Sequence, residues 1–139
     1  MSINERQDEV IEEFAMFDDW MDKYEYLISL GKELPLIADE KKVDENLIKG
    51  CQSRVWLDAQ LEDGMIKYTA DSDAIITKGI ISLMVRVLSD SSPKEIAETE
   101  LYFIDQVGLK EHLSPTRSNG LVSMVKQMKL YALAFQTQL

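Results

Sequence analysis

The chain has 139 residues, 45% of them apolar, enough to bury one substantial core and few for a second independent one. Twenty-five acidic against fifteen basic residues give a net charge of −10, which sets the surface against phosphate backbones and anionic bilayers and so against nucleic acid or membrane as a partner. No apolar run approaches the roughly 20 residues that cross a bilayer, the N-terminus reads as an acidic amphipathic helix rather than an export signal, and one cysteine cannot form an internal disulfide. The expectation is a single domain over residues 1–139 in the reducing cytoplasm.

Ser2-Ile3-Asn4-Glu5 has the spacing of a capping box and predicts a helix start. Val10, Phe14, Phe17, Met21, Tyr24 and Ile28 recur at three- and four-residue steps, which reads as one apolar stripe shared by two helices. Asp18 and Asp19 can cap the second, and Gly31 ends it. The acid is concentrated over 8–22 and 39–45, a solvated face in the simple reading and a docking surface for a basic partner in the alternative. Pro35 opens a polar connector, with a short strand expected at 46–49.

From Val55 the pattern alternates, with Val55, Leu57, Ala59 and Leu61 on one face and Asp58 and Gln60 on the other. Asp63-Gly64 suits a tight turn, so 65–70 is expected to return as the partner strand of a hairpin. Asp71-Ser72-Asp73 offers capping oxygens to a helix over 74–88 that is apolar on nearly every face and must be the central buried one. Gly79 inside that helix costs about 1 kcal/mol relative to alanine, which points to another backbone passing close by. Ser92-Pro93 starts a short helix, 101–107 forms another that ends at Gly108, and Ser114-Pro115 starts the last. Leu121, Met124, Val125, Met128, Ala132 and Phe135 form its stripe, with Lys126 and Lys129 off that line.

One Cys and one His exclude a zinc or iron–sulfur centre built from this chain's own thiolates and imidazoles. Neither a calcium loop nor a glycine-rich phosphate loop is present. No resident metal or cofactor is expected. Cys51 carries the chemistry: Gly50 before it allows a loop geometry that can offer the sulfur outward, and Arg54 after it places a positive charge that could favour thiolate. The opposing reading is an inert buried thiol. His112 is the one imidazole that could act as its base.

Three segments together resemble the SufE family of sulfur-acceptor proteins: Gly50-Cys51-Gln52-Ser53-Arg54-Val55-Trp56, Asp71-Ser72-Asp73-Ala74-Ile75-Ile76-Thr77-Lys78-Gly79, and Leu113-Ser114-Pro115-Thr116-Arg117-Ser118-Asn119-Gly120-Leu121. The resemblance spans nearly the whole chain. It implies an α+β fold similar to IscU-type scaffolds, with a small antiparallel sheet of about three strands packed against several helices. It also implies a sulfur carrier and activator rather than an enzyme in its own right. The partner would be a SufS-like cysteine desulfurase that carries the pyridoxal phosphate, and the sulfur would pass to a downstream iron–sulfur scaffold.

On that reading Cys51 is the persulfide acceptor, resting turned toward apolar neighbours and rotating out to meet the desulfurase. Arg117 docks the partner or contacts an anion, or else ties the last helix to the cysteine loop. Gly50, Gln52 and Asp73 support the loop or the partner contact, with a helix cap as the simpler role of Asp73. Lys78 and Trp56 have simpler roles in snorkelling and packing. The competing functions are a stand-alone thiol enzyme, which needs a base and a substrate pocket, and an interaction module whose cysteine is incidental.

Overall fold

The computed structural model describes residues 1–137, and it begins as the capping box predicts. Ser2 Oγ accepts the Glu5 N–H at 3.1 Å while Glu5 Oε1 accepts the Ser2 N–H at 3.2 Å, starting helix α1 (Ile3–Ala15). After a break, Asp19 Oδ1 accepts the Asp22 N–H at 2.9 Å and starts α2 (Trp20–Gly31). Val10 and Phe14 are buried as the stripe requires, but Met21 is 72% exposed and Leu27 and Leu30 are buried instead. The break between the helices resets the angular phase, so a stripe continued from α1 does not predict the inner face of α2.

The connector holds two single 3₁₀ turns, Asp39–Lys41 and Asp44–Asn46. The strand expected at 46–49 is one bridge between Leu47 and Trp56, with the Ile48 N–H donating to Val55 O at 2.8 Å. A 3₁₀ turn just before it and a left-handed Gly50 just after it (φ 94°) leave no length for a ladder. The sheet therefore has two strands, β1 (Val55–Glu62) and β2 (Met65–Ser72), antiparallel with Val55 opposite Ser72 and Glu62 opposite Met65. Asp63 (φ 52°) and Gly64 (φ 79°) make the turn with two left-handed residues, which matches the right-handed strand twist.

Helix α3 (Ile75–Leu88) is the central element, with ten buried residues, and it packs against α1, α2, β2 and the C-terminal helix α7 (Pro115–Gln136). The backbone that Gly79 admits is that of α2: a β-carbon on Gly79 would lie 2.2 Å from Leu27 O. Of the capping oxygens expected from 71–73, Ser72 Oγ accepts the Ala74 N–H at 3.2 Å, while Asp73 makes no bond to the helix. Ala74 occupies the N-cap position with no side-chain bond to the helix, because Asp73 is committed to Arg54, described below. Helices α4 (Pro93–Glu98) and α5 (Phe103–Val107) follow, and α5 ends at left-handed Gly108 (φ 83°). A one-turn helix, α6 (Leu109–His112), was not expected, since four residues are too few to show a period. Ser114 Oγ accepts the Arg117 N–H at 3.3 Å, and Leu121, Met124, Met128 and Ala132 form the buried face of α7.

Gln7 was outside every sequence pattern and is fully buried. Its Nε2 donates to Asn4 Oδ1 at 3.2 Å and Glu100 O at 3.1 Å, and its Oε1 accepts the Phe103 N–H at 3.1 Å. This one amide joins α1 to the start of α5. Gln7→Leu, which keeps the volume and strands a buried backbone donor, is expected to destabilise the protein by about 2 kcal/mol. Urea unfolding should show a lower midpoint at unchanged slope; an unchanged midpoint would mean that water replaces the amide.

Candidate functional site at the Cys51 loop

The loop between the Leu47 bridge and β1 is held at both ends. At Gly50 it lies against α7 so closely that a β-carbon would come within 2.4 Å of Ser123 Oγ, and the φ of 94° is also one that side chains disfavour. At Arg54 the backbone is clamped from the far end of β2. Asp73 Oδ1 accepts the Arg54 N–H at 3.1 Å, the Asp73 N–H donates to Arg54 O at 3.3 Å, and Ser72 Oγ donates to the same carbonyl at 2.8 Å. Cys51, Gln52 and Ser53 lie between the two anchors.

Cys51 is half-buried, and its Sγ faces inward, 3.6 Å from Gly120 O on α7, at the length of a weak S–H···O contact. The sulfur lines a cavity of about 280 Å³ shared with Ile80 and Met124 from the core and with Gln52, Thr116 and Arg117. Burial pushes the thiol's pKa up, and no neighbouring charge pulls it back. The charge on Arg54, expected to favour thiolate, does not reach it. In the inward position the sulfur is therefore a protonated and poorly nucleophilic thiol at neutral pH.

The structure thus brings Cys51, Gln52 and Arg117 to one cavity, with Gly50 and Asp73 at the two anchored ends of the loop. Among the described residues the Arg117 guanidinium makes no hydrogen bond or ion pair; only its backbone N–H is engaged, at the start of α7. His112 is elsewhere. Its ring stacks on Trp20 with centroids 4.0 Å apart, and its Nδ1 meets Gly108 O at 3.0 Å, so it is not placed as a base for Cys51. Trp56 lies under Lys42 Nζ, 5.7 Å from the ring centroid, and does not line the cavity. Lys78 pairs with Asp71 Oδ1 at 3.3 Å, and Lys42 pairs with Asp71 Oδ2 at 2.6 Å.

Thr77, Ile80, Gly120 and Met124 also line the site, and sequence reasoning did not assign them to it. Ile80 and Met124 read only as core, since periodicity reports burial and not which cavity a buried side chain borders. Gly120 had one usable signal, a glycine within a long helix.

If the Arg54–Asp73 pair holds the loop inward, Asp73→Ala is expected to speed alkylation of Cys51 by iodoacetamide roughly fivefold, the equivalent of one lost hydrogen bond. An unchanged rate would show that the Gly50 anchor alone holds the loop.

A family model described as a SufE, Fe-S metabolism associated domain matches residues 8–132, which include the whole of this site. The chain belongs to the SufE family. It is 41% identical over 127 residues to an uncharacterized SufE-like protein of Rhizobium etli, covering 88% of this chain and 86% of that one. It is 39% identical over 127 residues to an uncharacterized SufE-like protein of Synechocystis, covering 91% and 80%. The SufE-family chain also superposes on the solution structure of a hypothetical protein from Thermus thermophilus with a TM-score of 0.79, covering 95% of this chain and 96% of that chain. At 19% identity this likeness shows a shared α+β fold. Among the described residues of this SufE-family protein, no helix is long and apolar enough to cross a membrane, and no three His, Cys, Asp or Glu side chains are grouped to hold a metal ion.

Proposed function

We propose that this SufE-family protein takes sulfur onto Cys51 from the persulfide of a pyridoxal-phosphate cysteine desulfurase, speeds that enzyme's turnover, and passes the sulfur to a scaffold that assembles iron–sulfur clusters in the cytoplasm. The observation that carries the reading is the setting of the one cysteine: a loop anchored at Gly50 and Arg54, with its sulfur turned into a cavity that has room for further atoms.

The chemistry is an exchange at sulfur. The Cys51 thiolate attacks the outer sulfur of the desulfurase persulfide, a new S–S bond forms on Cys51, and the partner's S–S bond breaks. The bonding pair leaves with the partner's cysteine as thiolate, so no oxidant or reductant is consumed. An inward, protonated thiol is a poor attacker, so the loop turns outward on docking, where water and the partner's site favour thiolate. The Arg117 guanidinium, bordering the same cavity and unpaired among the described residues, is available to an acidic group of the partner. With one cysteine in the chain, the loaded persulfide cannot collapse into an internal disulfide and remains available to the next acceptor.

The test is intact-protein mass after incubation with a desulfurase and cysteine. Wild type is expected to gain the mass of one sulfur atom, removable by reductant, and Cys51→Ser to gain nothing. Absence of the adduct on wild type, with a desulfurase from the same cell, would leave the interaction module as the better account.

A further inference from the structure

We infer that Gly120 is the seat of the Cys51 sulfur, a positioning residue whose missing side chain lets the sulfur rest inward and so sets how long it is kept before delivery. The inference rests on the sulfur-acceptor reading and adds to it the residue that governs retention.

A β-carbon on Gly120 would lie 3.4 Å from Cys51 Sγ and 3.9 Å from both Cys51 Cα and Cβ. All three nearest atoms to that empty position belong to Cys51. The carbonyl of the same residue is also the one that Sγ faces, at 3.6 Å. Gly120 is buried within α7, five residues into a helix of 22, where a glycine costs about 1 kcal/mol against alanine. Helix stability therefore does not explain it; the sulfur lies beside it, at van der Waals distance from a β-carbon and in the way of a larger side chain. One turn further along α7, Ser123 lies beneath Gly50, where a β-carbon would come within 2.4 Å of its Oγ, so the loop rests on two small residues of one helix face.

A side chain at 120 would touch the sulfur directly. Alanine brings a methyl to van der Waals contact with Sγ at 3.4 Å and leaves the inward position intact, whereas the branches of valine reach further into the space the sulfur occupies and shift Cys51 outward. The outward sulfur is more exposed to solvent and small thiols. For a loaded Cys51 the loss would be an exchange: a glutathione thiolate attacks the outer sulfur, the S–S bond breaks, Cys51 leaves as thiolate, and glutathione persulfide is formed.

The experiment compares wild type, Gly120→Ala and Gly120→Val, with circular dichroism and thermal melts confirming that each is folded. Two rates are read: alkylation of the unloaded thiol by iodoacetamide, and loss of the loaded sulfur to glutathione followed by intact mass. Both are expected to stay near wild type for alanine and to rise by roughly tenfold for valine, the equilibrium shift that overpacking of this size produces. A folded valine variant that matches wild type in both rates would overturn the proposal. Failure of wild type to load sulfur at all would instead count against the acceptor reading, and the alkylation series would still decide the role of Gly120.

Discussion

Cys51→Ser is expected to reduce desulfurase turnover to the rate of the desulfurase alone, with stability within about 0.5 kcal/mol of wild type. The fold loses little. The serine hydroxyl occupies the same half-buried position and can donate to Gly120 O, where the thiol makes a weak contact at 3.6 Å. The chemistry loses everything, because an oxygen at this position is not ionised near neutral pH and cannot hold a transferable sulfane sulfur. The readout is the initial rate of sulfide release under reductant with increasing amounts of each protein. Stimulation by the serine variant equal to wild type would show that contact alone activates the partner and that the cysteine is incidental.

The same thiol predicts a pH signature in the free protein. Burial raises its pKa, so thiolate is scarce at neutral pH and the alkylation rate climbs with pH through a midpoint above that of an ordinary cysteine. Unfolding in urea at fixed pH removes the burial and is expected to raise the rate.

Gly79→Ala is expected to lower stability by about 3 kcal/mol and the melting temperature by roughly 10 °C. Two effects oppose each other. Alanine gains about 1 kcal/mol of helix propensity in the middle of α3. Its β-carbon, however, would stand 2.2 Å from Leu27 O and 2.8 Å from Leu27 C, both backbone atoms that no rotamer change can move. The two helices must separate, and the contact they lose includes the bond from Ser82 Oγ to Leu30 O at 2.8 Å. Gly31 on α2 faces this crossing as well, with a β-carbon position 3.2 Å from Gly79 N, so neither helix can yield toward the other. A variant that melts at or above the wild-type temperature would show that the helices separate at no cost.

Several elements could be read directly because their signals are local. The capping box at Ser2 and Glu5, the Asp63-Gly64 turn, the alternation from Val55 and the Ser114-Pro115 start each depend on groups a few residues apart, and each formed where expected. Errors came where a local signal met a competing contact or a change in chain direction. Asp73 had a local role available as a cap of α3, but the Arg54 backbone, brought alongside by strand pairing, took its carboxylate. Met21 continued the α1 stripe on paper, yet the break before α2 turned it to solvent. Three strands became two because Gly50 turns the chain away to reach α7.

The candidate site divides along the same line. Sequence alone determined that this chain has one thiol, that it follows a glycine at the mouth of a strand, and that neither zinc nor an iron–sulfur centre can be built from the chain's own thiolates and imidazoles. Those are properties of residue identity and spacing. Only the tertiary structure decided that His112 is held against Trp20 and away from a catalytic role, that Arg117 borders the cavity, and that Gly120, far along the chain from Cys51, lies against its sulfur. Periodicity shows which side chains face inward but not which inward-facing residues meet, because that depends on how helices and strands distant in sequence pack together.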